Sequence, residues 1–140
     1  MKQLSLLFFL SLQLLAFDTK TASKIFDKIF TAMLPKQSII VYTPHKEYAE
    51  VIEMAPSLVL ADTYTEADII LVDHLSDISP NNMQTIFTTN PSIFKRDERA
   101  VGAFYWEHGR PKIIFLQSRL DAKRMTLSKS FNRYIVKKLP

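Results

Sequence analysis

The sequence predicts an α/β domain with a mostly parallel sheet flanked by helices, followed by a C-terminal β-hairpin and a terminal helix. Three observations predict it. Near-continuous apolar runs at 38–43 (SIIVYT), 57–61 (SLVLA) and 69–72 (IILV) are the pattern of strands covered on both faces, and a helical segment separates the first two. Two further β-rich runs, 101–106 (VGAFYW) and 112–116 (KIIFL), flank a short turn that contains Gly109. No internal repeat, low-complexity tract or long linker interrupts residues 17–140, so a single domain is expected there.

Residues 1–16 (MKQLSLLFFLSLQLLA) stand apart from that domain. Lys2 is followed at once by a Leu/Phe block too short to span a bilayer, and Ala16 offers a small residue at a cleavage point. This predicts a signal peptide and a periplasmic protein. A buried first helix or an uncleaved anchor is the alternative.

Each element has its own signal. Residues 21–34 (TASKIFDKIFTAML) place Ile25, Phe26, Ile29, Phe30 and Met33 on one helical stripe, and Pro35 ends the helix. After the strand at 38–43, residues 46–54 (KEYAEVIEM) return to helical spacing, and Pro56 closes them. The strand at 57–61 follows, then a short connection (TEAD, 65–68) into IILV. Residues 77–82 (DISPNN) are a turn-rich loop. A fourth strand is expected at 85–89 (TIFTT), with a polar connection holding one helical turn at 91–99.

In the hairpin, alternation places Val101, Ala103 and Tyr105 on one face, and Gly102, Phe104 and Trp106 on the other. Gly102 signals a bulge or a close backbone approach, and the loop is expected to be longer than two residues. A helix then starts near Leu116. Ser128 is placed as the N-cap of a last helix running through Leu139, with Phe131, Tyr134 and Ile135 inward and Lys129, Arg133, Lys137 and Lys138 outward.

Charge is divided unevenly. Residues 17–109 carry eight Lys/Arg against thirteen Asp/Glu, whereas residues 110–140 carry nine against Asp121 alone. A basic segment of this kind suits an acidic protein partner, a membrane surface, or the acidic face of a homodimer. No nucleic-acid-binding signature is present. The chain has no Cys, which excludes disulfides and thiol chemistry.

Candidate chemistry is sparse. His45 follows the first strand, and Asp73-His74 follows IILV, so a parallel sheet would bring all three to its carboxyl edge, where α/β domains bind ligands. They form the candidate ligand site. There is no HxxxH or HExxH spacing, so no metal or other cofactor is expected. With no G-x-S-x-G and no glycine-rich phosphate loop, no catalytic residue is assigned and a non-enzyme is expected. Glu107-His108-Gly109-Arg110 is most simply a turn. The candidate partner-binding surface is Phe104, Trp106, His108 and Arg110 beside it, joined by Arg133 and Lys137 of the last helix.

The order of these segments resembles the YfiR-like periplasmic regulators. The likeness rests on ASKIFDKIFTAMLP leading into a strand, on the ADIILV strand, and on VGAFYWEHGRPKIIFLQSRLDAKRMTL. It implies an exported, non-catalytic, often dimeric α/β protein that restrains an inner-membrane diguanylate cyclase by contacting its periplasmic sensor region; a sensor histidine kinase is the other partner of that class. The family's redox-responsive cysteines are missing here, and its Trp-Pro pair after the first helix is Leu34-Pro35. The signal would then be a ligand, pH, or release by another protein. A small periplasmic solute-binding protein using His45, Asp73 and His74 is the alternative function.

Overall fold

The computed structural model describes residues 18–76, 78–79 and 83–140. The expected signal peptide lies outside the described residues, as does part of the loop at 77–82. Helix α1 (Thr19–Met33) starts where the Asp18 carboxylate accepts the Lys20 N–H at 3.2 Å, and it stops at Leu34, just before Pro35. It leads to β1 (Ile39–Tyr42), α2 (Lys46–Met54), β2 (Leu58–Leu60), a 3₁₀ turn (Tyr64–Glu66) and β3 (Ile69–Val72). Strand β4 (Thr85–Thr88), helix α3 (Pro91–Arg96) and the hairpin β5 (Ala100–Glu107) and β6 (Arg110–Leu116) follow. A short helix α4 (Gln117–Ala122), a 3₁₀ segment (Lys129–Tyr134) and β7 (Ile135–Val136) complete the chain.

The seven strands form one sheet in the order β2-β1-β3-β4-β5-β6-β7. From β2 to β5 all neighbours are parallel; β6 is antiparallel to β5, and β7 is parallel to β6. This is the mostly parallel α/β sheet that the apolar runs predict. All four residues of β3 are fully inaccessible to solvent. The pleat divides them: Ile69 and Leu71 join a core with Phe26, Phe30 and Ile52 under α1 and α2, while Ile70 and Val72 join a second with Ile93 and Phe94 of α3. A sheet so covered has no polar face, which is why IILV reads as an unbroken apolar run.

Rings carry the first core across the sheet. Phe30 meets Phe87 edge-on at 5.4 Å between centroids, Phe87 meets Phe115 at 5.9 Å, and Phe115 meets Phe131 at 6.5 Å. At the far end, the Ser128 N–H donates to the Ala32 carbonyl at 3.1 Å, tying the C-terminal segment to α1. The buried Arg119 side chain closes the opposite core. It donates to the carbonyl oxygens of Phe94 and, at 2.9 Å, Ala100, and it lies over the Phe94 ring.

Three expectations are corrected. The hairpin loop has two residues, not more: Glu107 pairs with Arg110, and His108 (φ 52°) and Gly109 (φ 75°) both adopt left-handed backbone, the geometry of a tight turn matched to strand twist. The last helix is a 3₁₀ helix that ends at Tyr134, not one running through Leu139. Residues 129–134 make a 3₁₀ turn, which satisfies the Phe131/Tyr134 spacing equally well, and Ile135-Val136 then pair with the edge that β6 would otherwise leave open. Finally, Val101 does not share a face with Ala103 and Tyr105. Ile86 pairs with Ala100 but Phe87 pairs with Gly102, so Val101 is the extra residue of a bulge and turns into the first core.

Gly102 is required next to that bulge. A Cβ there would stand 2.6 Å from ring atoms of Phe115, which is itself fully buried and cannot withdraw. Gly102→Ala is therefore expected to cost about 1–3 kcal/mol by overpacking, measured as a lowered midpoint in urea unfolding.

Before β5, Asp97 and Arg99 form a two-pronged clasp: Arg99 Nε reaches Asp97 Oδ1 at 3.0 Å and Nη2 reaches Oδ2 at 2.7 Å, while Nη1 donates to the Ser79 carbonyl. These bonds from Arg99 hold the Asp97 carboxyl below its usual pKa, against the opposing effect of burial. A carboxyl that binds its proton less readily when folded stabilises the protein above the unfolded-state pKa and loses that contribution as pH falls through the folded value. Asp97→Asn should thus lower the melting temperature at pH 7. The gap from wild type should narrow as pH falls from about 4 towards 2.

Candidate functional site

The strand order reverses at β1. The chain passes from β1 outward to β2, then returns to place β3 on the other side of β1, so the loops leaving β1 and β3 diverge over opposite faces of the sheet. Such a switch point opens a crevice at the carboxyl ends of the two strands, the usual ligand site of doubly wound sheets. His45 leaves β1 there, and Asp73-His74 leave β3.

Local structure aims the three side chains at one another. His45 occupies the N-cap position of α2, its carbonyl accepting the Ala49 N–H, but its imidazole does not cap the helix. It reaches across the switch point instead. Nε2 accepts the Asp73 backbone N–H at 3.1 Å and lies 3.0 Å from Asp73 Oδ1. His74 Nδ1 meets the same Oδ1 at 2.5 Å, and the two imidazole centroids are 4.7 Å apart. Side-chain exposure rises outward, from 12% at His45 to 45% at Asp73 and 55% at His74, so the group is anchored at its base and open to solvent at its rim.

Surrounding bonds fix this geometry. The Asp73 carbonyl accepts Asn90 Nδ2 at 2.9 Å, and the Asn90 side-chain oxygen caps α3 by accepting the Ser92 N–H. Thr88 Oγ1 donates to the Val72 carbonyl at 2.7 Å, locking the ends of β3 and β4 together. The His45 ring stands edge-on to Tyr48 at 5.3 Å. The Tyr48 hydroxyl in turn lies 2.9 Å from Thr89 Oγ1.

Asp73 also borders a cleft of about 390 Å³ whose walls include Phe26, Tyr48, Thr89, Phe104 and Trp106. One carboxylate at the edge of several aromatic rings can orient a small ligand that has an apolar body and a polar head. The imidazole–carboxylate group can accept, donate or hold a proton there.

The structure therefore brings together two sets of residues that the sequence leaves separate: His45, Asp73 and His74 from the sheet edge, and Phe104 and Trp106 from the hairpin. Phe104 is half-buried, its ring 5.8 Å from that of Phe26, and contributes a wall more than an outer surface. His108 and Arg110 are exposed at the hairpin tip, on the same carboxyl edge of the sheet. Arg133 and Lys137 are exposed but do not join them. They flank β7, which pairs with the opposite end of β6, roughly 17 Å along the strand from Arg110. Arg133 there stacks on Tyr134 and donates to its hydroxyl at 2.7 Å.

Sequence reasoning missed Phe26, Tyr48, Thr89 and Asn90. For Thr89 and Asn90 a signal existed: they follow a buried strand directly and precede Pro91, which marks a helix start at the sheet's carboxyl edge. Phe26 and Tyr48 look like core positions in the sequence, and both do pack on the core while lining the cleft.

Fold and crevice define the class, a doubly wound α/β domain with a switch-point cleft. No family model, curated protein or solved structure matches the chain.

Burial raises the Tyr48 phenol above its ordinary pKa; the hydrogen bond with Thr89 opposes this, and the carboxylates of Asp73 and Glu47 add to it. Tyr48 therefore stays protonated further into the alkaline range than a free tyrosine. In an ultraviolet titration of the five tyrosines, Tyr48→Phe should remove a late-ionising phenol. Circular dichroism would confirm that the protein remains folded over the range.

Proposed function

We propose that this protein is an exported binding module that takes up a small molecule in the cleft at the β1/β3 switch point and relays its presence to a partner. One observation carries the proposal: Asp73, whose carboxylate meets His45 and His74, borders the same cleft that Phe104 and Trp106 wall. Ligand recognition and the aromatic hairpin strand then form one unit. A molecule seated against Trp106 would bear directly on β5, whose tip presents His108 and Arg110 to the outside. The likeness to YfiR-like regulators supports the choice of partner class, the periplasmic sensor region of an inner-membrane cyclase or kinase. It supports a periplasmic location for the same reason. No described helix is long and apolar enough to cross a membrane.

A thermal-shift screen of amines, amino acids, nucleosides and aromatic acids tests the cleft. A ligand at about a hundred times its Kd stabilises the folded state by about 2.7 kcal/mol, so one compound class should raise Tm by several degrees. Trp106→Ala should abolish that rise while leaving far-ultraviolet circular dichroism unchanged. Absence of a shift with every class would sink the cleft, and so would a shift that Trp106→Ala leaves intact.

A further inference from the structure

The geometry points to a divalent transition-metal site formed by His45, Asp73 and His74, with zinc the ion of choice. The inference rests on the cleft as the binding site and names what anchors the ligand there. Two imidazoles and one carboxylate offer donor atoms that all lie within 4.8 Å of one another. Imidazole nitrogen and carboxylate oxygen together suit zinc and its late first-row neighbours, whereas calcium and magnesium prefer shells made wholly of oxygen.

The sequence argues against a metal because no two histidines have helical ligand spacing. The fold supplies what spacing lacks. It draws His45 from the end of β1 and Asp73-His74 from the end of β3, two strands made adjacent by the reversal of strand order. The 3.0 Å and 2.5 Å separations of the imidazole nitrogens from Asp73 Oδ1 put the three donors in direct contact, and an ion would take the place of the hydrogen bond between His74 and Asp73. Binding asks the Nε2 lone pair of His45 to exchange the Asp73 N–H for the ion, and the exposed His74 ring to rotate.

The supports of a metal site are also present. Asn90 holds the Asp73 main-chain carbonyl, and the Tyr48 ring stands edge-on to that of His45. They steady the main chain that carries Asp73 and pack against the His45 ring. Three protein donors on a rim that is half open to solvent leave coordination positions free, the arrangement of zinc sites that accept an outside ligand. An anionic or nitrogen-donor head group of a molecule in the aromatic cleft would fill them. The ion would thus provide the positive charge that the cleft's own carboxylate does not.

Untagged protein titrated with zinc chloride by calorimetry tests the site. Binding of one ion per chain is expected, with a Tm rise of several degrees in parallel melts. His74→Gln is the decisive variant because His74 is the most exposed member, so its loss should leave the fold intact, which circular dichroism checks. It should weaken binding about tenfold or more. His108→Gln, altering the one remaining histidine of the three, should change nothing. No heat and no shift at millimolar zinc would overturn the site. Binding equal in wild type and His74→Gln would overturn it as well, as would loss in His108→Gln to the same degree. Chelator-treated protein separates this inference from the cleft itself: a Trp106-dependent shift with a small molecule and no zinc binding removes the metal and keeps the cleft. Zinc binding that depends on His74, with no small-molecule shift with or without zinc, does the reverse.

Discussion

The architecture depends on the complete burial of β3. Ile69, Ile70, Leu71 and Val72 are inaccessible to water, so each backbone amide and carbonyl in the strand needs a partner in β1 or β4, and each side chain needs a helix or loop above it. A parallel strand in that position cannot be reached by a tight turn; a crossover must leave one edge of the sheet and return at the other. Covering both faces forces the connections of β1 and β3 apart. The crevice at their ends is thus a by-product of burying the centre of the sheet, and it is the place where the chain has put its polar, titratable side chains.

The second organising constraint is the close approach at Gly102. The β5–β6 hairpin is long enough to project beyond the parallel strands, yet its base is pinned by contact between the Gly102 backbone and the Phe115 ring and by the Val101 bulge beside it. A bulge increases local twist. Phe104 and Trp106, just beyond it, then face α1 across the cleft while Tyr105 stays with the opposite core. Without the extra residue, alternation would still set Phe104 opposite Tyr105, but Val101 would be drawn away from Phe87 and Phe115. One inserted residue serves both the core and the binding face.

Most of the fold could be read from hydrophobic pattern because most of the sheet is covered on both sides, so IILV reads as an unbroken apolar run, while KEYAEVIEM and the first helical stripe each carry a helical period. The chain's end could not. Phe131, Tyr134 and Ile135 satisfy a helical spacing and a 3₁₀-plus-strand spacing alike, and only the open edge of β6 decides between them. The two-residue turn escaped detection because His108, a residue with a Cβ, takes the left-handed conformation that Asn or Gly usually supplies. At the site, His45, Asp73 and His74 were legible from strand ends alone, since their positions follow from topology. Tyr48 and Phe26 were not, because a residue that packs on the core with one edge and lines a cleft with the other has the same sequence signature as a core residue.

The bond from Ser128 to Ala32 joins the last quarter of the chain to its first described helix. Phe131 beyond it covers Phe115, and Phe115 is the hinge of the ring series that begins in α1. The first helix thus packs on elements near it in the sequence and gains its bond from Ser128 only once the C-terminal segment is in place. That closure spans 96 residues of sequence, a non-local contact whose entropic cost precedes the packing it allows.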